Sequence, residues 1–170
     1  MKSLHYIILM VLNVLALASC EKDKETAAGI PELEHHYYGL FVPNNNTAVT
    51  VTRSQTTLLK LPVQFYSAFT REYDAVAKYA VTTSGITPPA IRGVDYNIVD
   101  KNGTTIPSSD TTYSIIFPKA VQAMDTIYVK LLNNTATGVR KFEIQLLDNI
   151  TTQFDVDIFS TAFRRPVTIN

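Results

Sequence analysis

Apolar residues recur at every second position through most of this chain, the period of a strand with one buried face. Val49 and Val51 alternate with Thr50 and Thr52, and Leu59, Leu61, Val63 and Phe65 continue the rhythm. Residues 67–75 break it, which predicts a loop or a single helical turn, and Ala77, Tyr79 and Val81 then resume it. Ile127, Val129 and Leu131 share one face, Phe142, Ile144 and Leu146 share another, Phe154, Val156 and Ile158 repeat the pattern, and residues 163–169 close the chain. Residues 38–42 predict a first strand, stopped by Pro43 and the Asn44-Asn45-Asn46 turn cluster. Pro62 has no amide hydrogen for a ladder, so its strand is expected at an edge or at a bulge. Residues 127–131 and 142–146, joined by the turn-rich stretch 133–138, read as an antiparallel pair, with Tyr128, Lys130, Glu143 and Gln145 towards water. No long helix-period pattern competes. The expected fold class is all-β.

The N-terminus has another texture. After Lys2, residues 6–17 are apolar apart from Asn13, and Glu21-Lys22-Asp23-Lys24-Glu25 comes closely behind. A membrane span needs roughly 20 apolar residues, so this segment has the length and flanks of a secretory signal. It ends in Leu17-Ala18-Ser19-Cys20, which resembles the lipobox of bacterial lipoproteins. The resemblance implies that residues 1–19 are a signal peptide, that Cys20 becomes the lipid-bearing first residue, and that the protein holds to a membrane through that lipid. Two or more acyl chains anchor firmly where one holds only marginally. Residues 20–36, charged and containing Gly29 and Pro31, read as a flexible linker. It would reach roughly 50 Å fully extended and about 20–24 Å as a coil. The domain proper is expected over residues 37–170. Cys20 is the only cysteine, so no internal disulfide staples this domain and packing must hold it.

Within the domain, Ala90-Ile91-Arg92-Gly93-Val94-Asp95-Tyr96 resembles the A-x-x-G-x-D-Y run of Calx-beta domains. The downstream order agrees: Tyr113-Ser114-Ile115-Ile116-Phe117-Pro118, then residues 125–131, then residues 141–146. The match covers about residues 47–147. It implies an immunoglobulin-like antiparallel β-sandwich, in which Gly93, Asp95 and Tyr96 are structural, with Asp95 satisfying turn amides and Tyr96 filling the core. Bacteroidota lipoproteins with such a sandwich are the nearest resemblance of the whole chain. In that group a short acidic-containing segment after the cysteine directs export, which implies an outer-membrane protein facing the cell exterior. Many Calx-beta domains bind calcium through clustered acids, but here Asn133-Asn134 and Arg140-Lys141 stand where acids are wanted. Asp148, Asp155 and Asp157 form no recognised loop, so neither a metal nor a cofactor is expected.

Charge adds exclusions. The formal net charge is +0 and the basic residues are scattered, so nucleic acid is not an expected partner. Of the three histidines, His5 leaves with the signal and His35-His36 lie in the expected linker, so a Ser-His-Asp triad has no histidine in the strands. Adjacent histidines also point apart on an extended backbone, which argues for solvated linker residues over a metal site. Asp95, Asp100, Glu143 and Asp148 could supply a pair of catalytic carboxylates, but sequence spacing does not fix their separations. Tyr37, Tyr38, Tyr66 and Tyr73 suit either a sugar-stacking platform or edge and core packing. Thr111 and Thr126, in Asp110-Thr111-Thr112 and Asp125-Thr126-Ile127, resemble the acid-hydroxyl-apolar sites of O-glycosylation in Bacteroidota exported proteins.

The expected function is therefore a lipid-anchored, noncatalytic binding or structural module at the outer membrane, in a complex for glycan capture or adhesion, with glycan or protein as its partner. The alternative is a lipoprotein hydrolase or metal-dependent enzyme using clustered carboxylates. Cys20→Ala is expected to yield an unlipidated precursor that leaves the detergent phase on phase separation; a variant that still partitions with detergent would refute the anchor.

Overall fold

The computed structural model describes residues 35–107 and 111–170. The signal segment, Cys20, most of the expected linker and Asp110 lie outside the described residues.

The described chain forms β1 (His36–Phe41), β2 (Val49–Val51), β3 (Leu59–Tyr66), β4 (Ala75–Thr82), β5 (Tyr96–Val99), β6 (Thr112–Phe117), β7 (Ala123–Leu131), β8 (Arg140–Leu147), β9 (Asn149–Ile150), β10 (Asp155–Ile158) and β11 (Arg164–Ile169), with one 3-10 turn at Pro118–Ala120. They make a six-stranded sheet A in the order β5-β7-β3-β1-β10-β9 and a five-stranded sheet B in the order β2-β11-β8-β4-β6. All ladders are antiparallel except β1 with β10 and β2 with β11. The protein is an all-β, immunoglobulin-like sandwich.

The period-two pattern picks the inner faces. Leu59, Leu61, Val63 and Phe65 on β3, Ile127, Val129 and Leu131 on β7, and Phe142, Ile144 and Leu146 on β8 are all buried. Aromatic pairs weld the sheets together: Phe65 stacks on Phe117 at 4.4 Å and Tyr96 on Phe142 at 4.1 Å, each pair joining sheet A to sheet B. Such contacts add about 0.5–1.5 kcal/mol each beyond the area they bury.

Four expectations need correction. β7 and β8 do not pair: β7 lies between β5 and β3, while β8 lies between β11 and β4. Their apolar faces meet across the core, an arrangement that gives the same alternation as a hairpin. β3 is interior and not an edge, because Pro62 turns its nitrogen towards the end of β1. There Val42 donates to the Pro62 carbonyl at 2.9 Å before the chain departs at Pro43, so little of the ladder is lost. The ordered sheet begins before residue 37, since His36 opens β1 and the carbonyl of His35 accepts from Asp155 at 2.9 Å. Glu143, expected towards water, is buried and accepts from Gln145 Nε2 at 2.6 Å.

The asparagine turn after β1 is held by a buried arginine. Arg165 donates to Asn45 Oδ1, to the Thr47 carbonyl and to the Pro43 carbonyl, and its guanidinium lies 5.0 Å from the Phe41 ring centroid.

Phe142→Ala removes one ring of the 4.1 Å stack and leaves a cavity between the sheets. It is expected to cost about 3–5 kcal/mol, read as a lowered urea midpoint; an unchanged midpoint would show that Phe142 does not hold the sheets together.

Candidate functional site

At one end of the sandwich the 90–96 run turns into β5. Gly93 takes φ +80°, which a side chain resists, and its amide donates to the Tyr96 carbonyl at 2.8 Å. Asp95 is 1% exposed. Its Oδ2 accepts from the Ile91 amide at 2.7 Å, and its Oδ1 accepts from Arg53 Nη1 at 2.7 Å and from Asn134 Nδ2 at 3.2 Å. Arg53 also donates to Asn134 Oδ1 at 2.9 Å and to the Gly138 carbonyl at 3.2 Å. One buried arginine thus ties the segment after β2 to the 90–96 turn and to the β7–β8 connection. Tyr96 is buried against Phe142, and burial pushes its phenol up to about 12. Sequence reasoning singled out Gly93, Asp95 and Tyr96 but missed Arg53 and Asn134, because a lone arginine after a strand does not announce its partner.

This oxygen-lined pocket holds a guanidinium. Among the described residues, no group of three or more His, Cys, Asp or Glu side chains comes together to hold a metal. The acids considered for catalysis are each engaged separately. Asp100 Oδ1 accepts from the amides of Thr104 and Asn102, both at 2.8 Å, which holds its carboxyl below the usual range. Glu143 is bonded to Gln145, and Asp148 Oδ1 accepts from the Ile158 amide at 3.1 Å.

The tyrosines divide. Tyr37 is in the core and shares a hydrogen bond with Tyr73 through their hydroxyls at 2.7 Å. Tyr73 stacks on Phe154, and its hydroxyl meets His35 Nδ1 at 2.6 Å. Tyr38 and Tyr66 instead stand directly opposite each other on the solvent face of sheet A, 36% and 47% exposed. Phe159 packs edge-on against Tyr38, and His36 stacks on the same ring. Asp155 and Asp157 face the same way, in register with His36 and Tyr38, and Asp157 bonds His36. His36 is therefore a strand residue at the rim of an aromatic face, not a linker residue. Thr111 is exposed just before β6, and Thr126 is half-buried on β7 opposite Pro62.

No protein-family model and no curated protein matches the chain. Solved structures do. It is similar to the apo form of the Calx CBD1 domain, at 13% identity with a TM-score of 0.51, over 79% of this chain and 97% of that one. It is also similar to CBD12 from CALX1.2, at 15% identity with a TM-score of 0.50, over 78% of this chain but only 44% of that one. The fold is Calx-beta-like.

Burial alone would raise the pKa of Asp95, but the bonds from Ile91, Arg53 and Asn134 outweigh it and hold the carboxyl below its ordinary 3.8. A depressed folded pKa adds stability above the unfolded value, and this is lost as pH falls through the folded one. Asp95→Asn is thus expected to be less stable than the parent at pH 7, with the gap narrowing below about pH 4. Urea unfolding of both across pH 2–7 measures it, and a constant gap would contradict the account.

Proposed function

We propose that this chain is a lipid-anchored, noncatalytic binding module of a Bacteroidota outer membrane, displayed towards the cell exterior, and that the solvent face of sheet A takes glycan. The observation that carries the glycan reading is the exposed Tyr38–Tyr66 pair, flanked by Phe159. The ring surface that Tyr66 and Phe159 keep in water, 47% and 42% exposed, is the kind on which the C–H face of a pyranose stacks, with Tyr38 packed beside it. The His36–Asp157 pair adds polar partners beside Tyr38.

The anchor and address rest on the lipobox Leu17-Ala18-Ser19-Cys20 and the charged segment behind it. Residues 1–19 are the leader in this reading, Cys20 carries the lipid, and the chain up to the start of β1 is the leash. Thr111, exposed in the loop before β6, suits O-glycosylation better than Thr126, whose strand position leaves it half-buried. A hydrolase would need carboxylates converging on one point, whereas Asp95, Asp100, Glu143 and Asp148 each answer to a different partner.

A glycan array probed with the detergent-solubilised lipoprotein tests this. Tyr38→Ala combined with Tyr66→Ala is expected to weaken retention about tenfold or more while leaving the thermal melt nearly unmoved. An array with no retained glycan, or a double variant that binds like the parent, would dismiss the platform.

A further inference from the structure

Among the described residues, the sandwich leaves a vacant strand position on the side where β5 and β6 form the outer strands of their sheets. Because the Val42 amide bonds the Pro62 carbonyl, even-numbered residues of β3 turn their peptide groups to β1 and odd-numbered ones to β7. On β7, Ala123 and Asp125, opposite Phe65 and Val63, therefore bond to β3. Met124 and Thr126 turn theirs the other way. β5 would receive them, but it runs beside β7 only from Leu131 to Tyr128. The Thr126 amide falls back on the carboxylate next to it, donating to Asp125 Oδ1 at 2.6 Å. Across the gap, β6 pairs with β4 alone among the described residues. The Leu146 amide donates to the Phe163 carbonyl, and carrying the same alternation through β8 and β4 turns the peptide groups of Ser114 and Ile116 outwards.

A groove of about 430 Å³ lies between these two unpaired edges. Its lining includes Tyr79, Ile115 and Ile127, with Asp100, Lys101 and Asp125 among its charged residues. The other outer edges are guarded. β2 has 3 residues and β9 has 2, and the outer edge of β5 is covered by residues 104–106, where Ile106 donates to the Ile98 carbonyl at 3.0 Å. Proteins blunt free edges with charge, proline or cover. β6 carries no charged residue, and Ile116, which lines the groove, and Met124, next along β7 beyond its lining, are each 57% exposed.

We propose that this groove is a strand-addition site. It takes an extended segment of a partner protein that runs beside Met124 and Thr126, in line with β5, and lengthens sheet A. The main-chain groups of the partner satisfy those of Met124 and Thr126, and its alternate side chains enter the apolar floor. Two carboxylates against one ammonium among the lining residues favour a segment with a basic residue at its end. The site lies apart from the tyrosine face and does not depend on the glycan reading.

The test uses the full lipoprotein in detergent and, as probe, a heptapeptide of alternating valine and threonine with lysine at both ends. The peptide is expected to slow hydrogen exchange at the amides of Met124 and Thr126. N-methylating its alternate residues, which removes the donors that face β7, should weaken binding about tenfold or more. Thr126→Pro should do the same without unfolding the domain, since that nitrogen faces the groove and not β3. Failure of the peptide to bind, or equal binding of the N-methylated form, would overturn the proposal. Protection of the Met124 amide without peptide would also overturn it: protection that rises with protein concentration assigns the groove to a second copy, and protection independent of concentration assigns it to residues 20–34 of the same chain.

Discussion

Arg53 and Asp95 meet where neither charge could stand alone. The arginine and the aspartate are 8% and 1% exposed, and removing one partner of such a pair leaves an uncompensated buried charge that costs about 3–5 kcal/mol. Their bond reaches beyond itself, because the same guanidinium holds Asn134 and the Gly138 carbonyl. The carbonyl of Asp95 meanwhile accepts from the Leu132 amide at 2.9 Å. The chain leaving β7 is thereby drawn over the end of the sandwich and delivered to β8 in the opposite sheet. That crossing lets the apolar faces of β7 and β8 meet through the core and puts Phe142 on Tyr96.

Which residues point inward is legible from sequence, since alternation records burial directly. Val63, Phe65, Val129 and Ile144 are 0% exposed, Phe142 is 1% and Ile127 is 2%. Which strand lies beside which is not legible, because facing strands and neighbouring strands leave the same alternation. The 127–131 and 142–146 segments read as neighbours for that reason. Pro62 misleads in a similar way, because the absence of an amide hydrogen matters only on the side where a ladder needs it. The parallel placement of β1 beside β10, separated by most of the chain, has no local signature at all.

The candidate site is half legible. The 90–96 run gives Asp95 and Tyr96 their structural roles in advance, but Arg53 and Asn134 come from other loops and carry no mark of the destination. The four tyrosines can be named from sequence but not sorted. Tyr37 and Tyr38 are adjacent, and one lies in the core while the other faces solvent, a difference set by strand parity once the sheet is known. His36 obeys that parity too, joining Tyr38 on the outer face and exchanging a role in a leash for one at a rim.

The position of β1 governs how the domain carries load. His35 leads directly into a strand flanked by β3 on one side and β10 on the other. A pull on the chain ahead of β1 draws that strand lengthwise between its neighbours, so the bonds along both of its edges resist together instead of opening one after another like a zip. With no cysteine in the sandwich to bear tension, the two ladders of this strand are what a load arriving from the N-terminal side meets first.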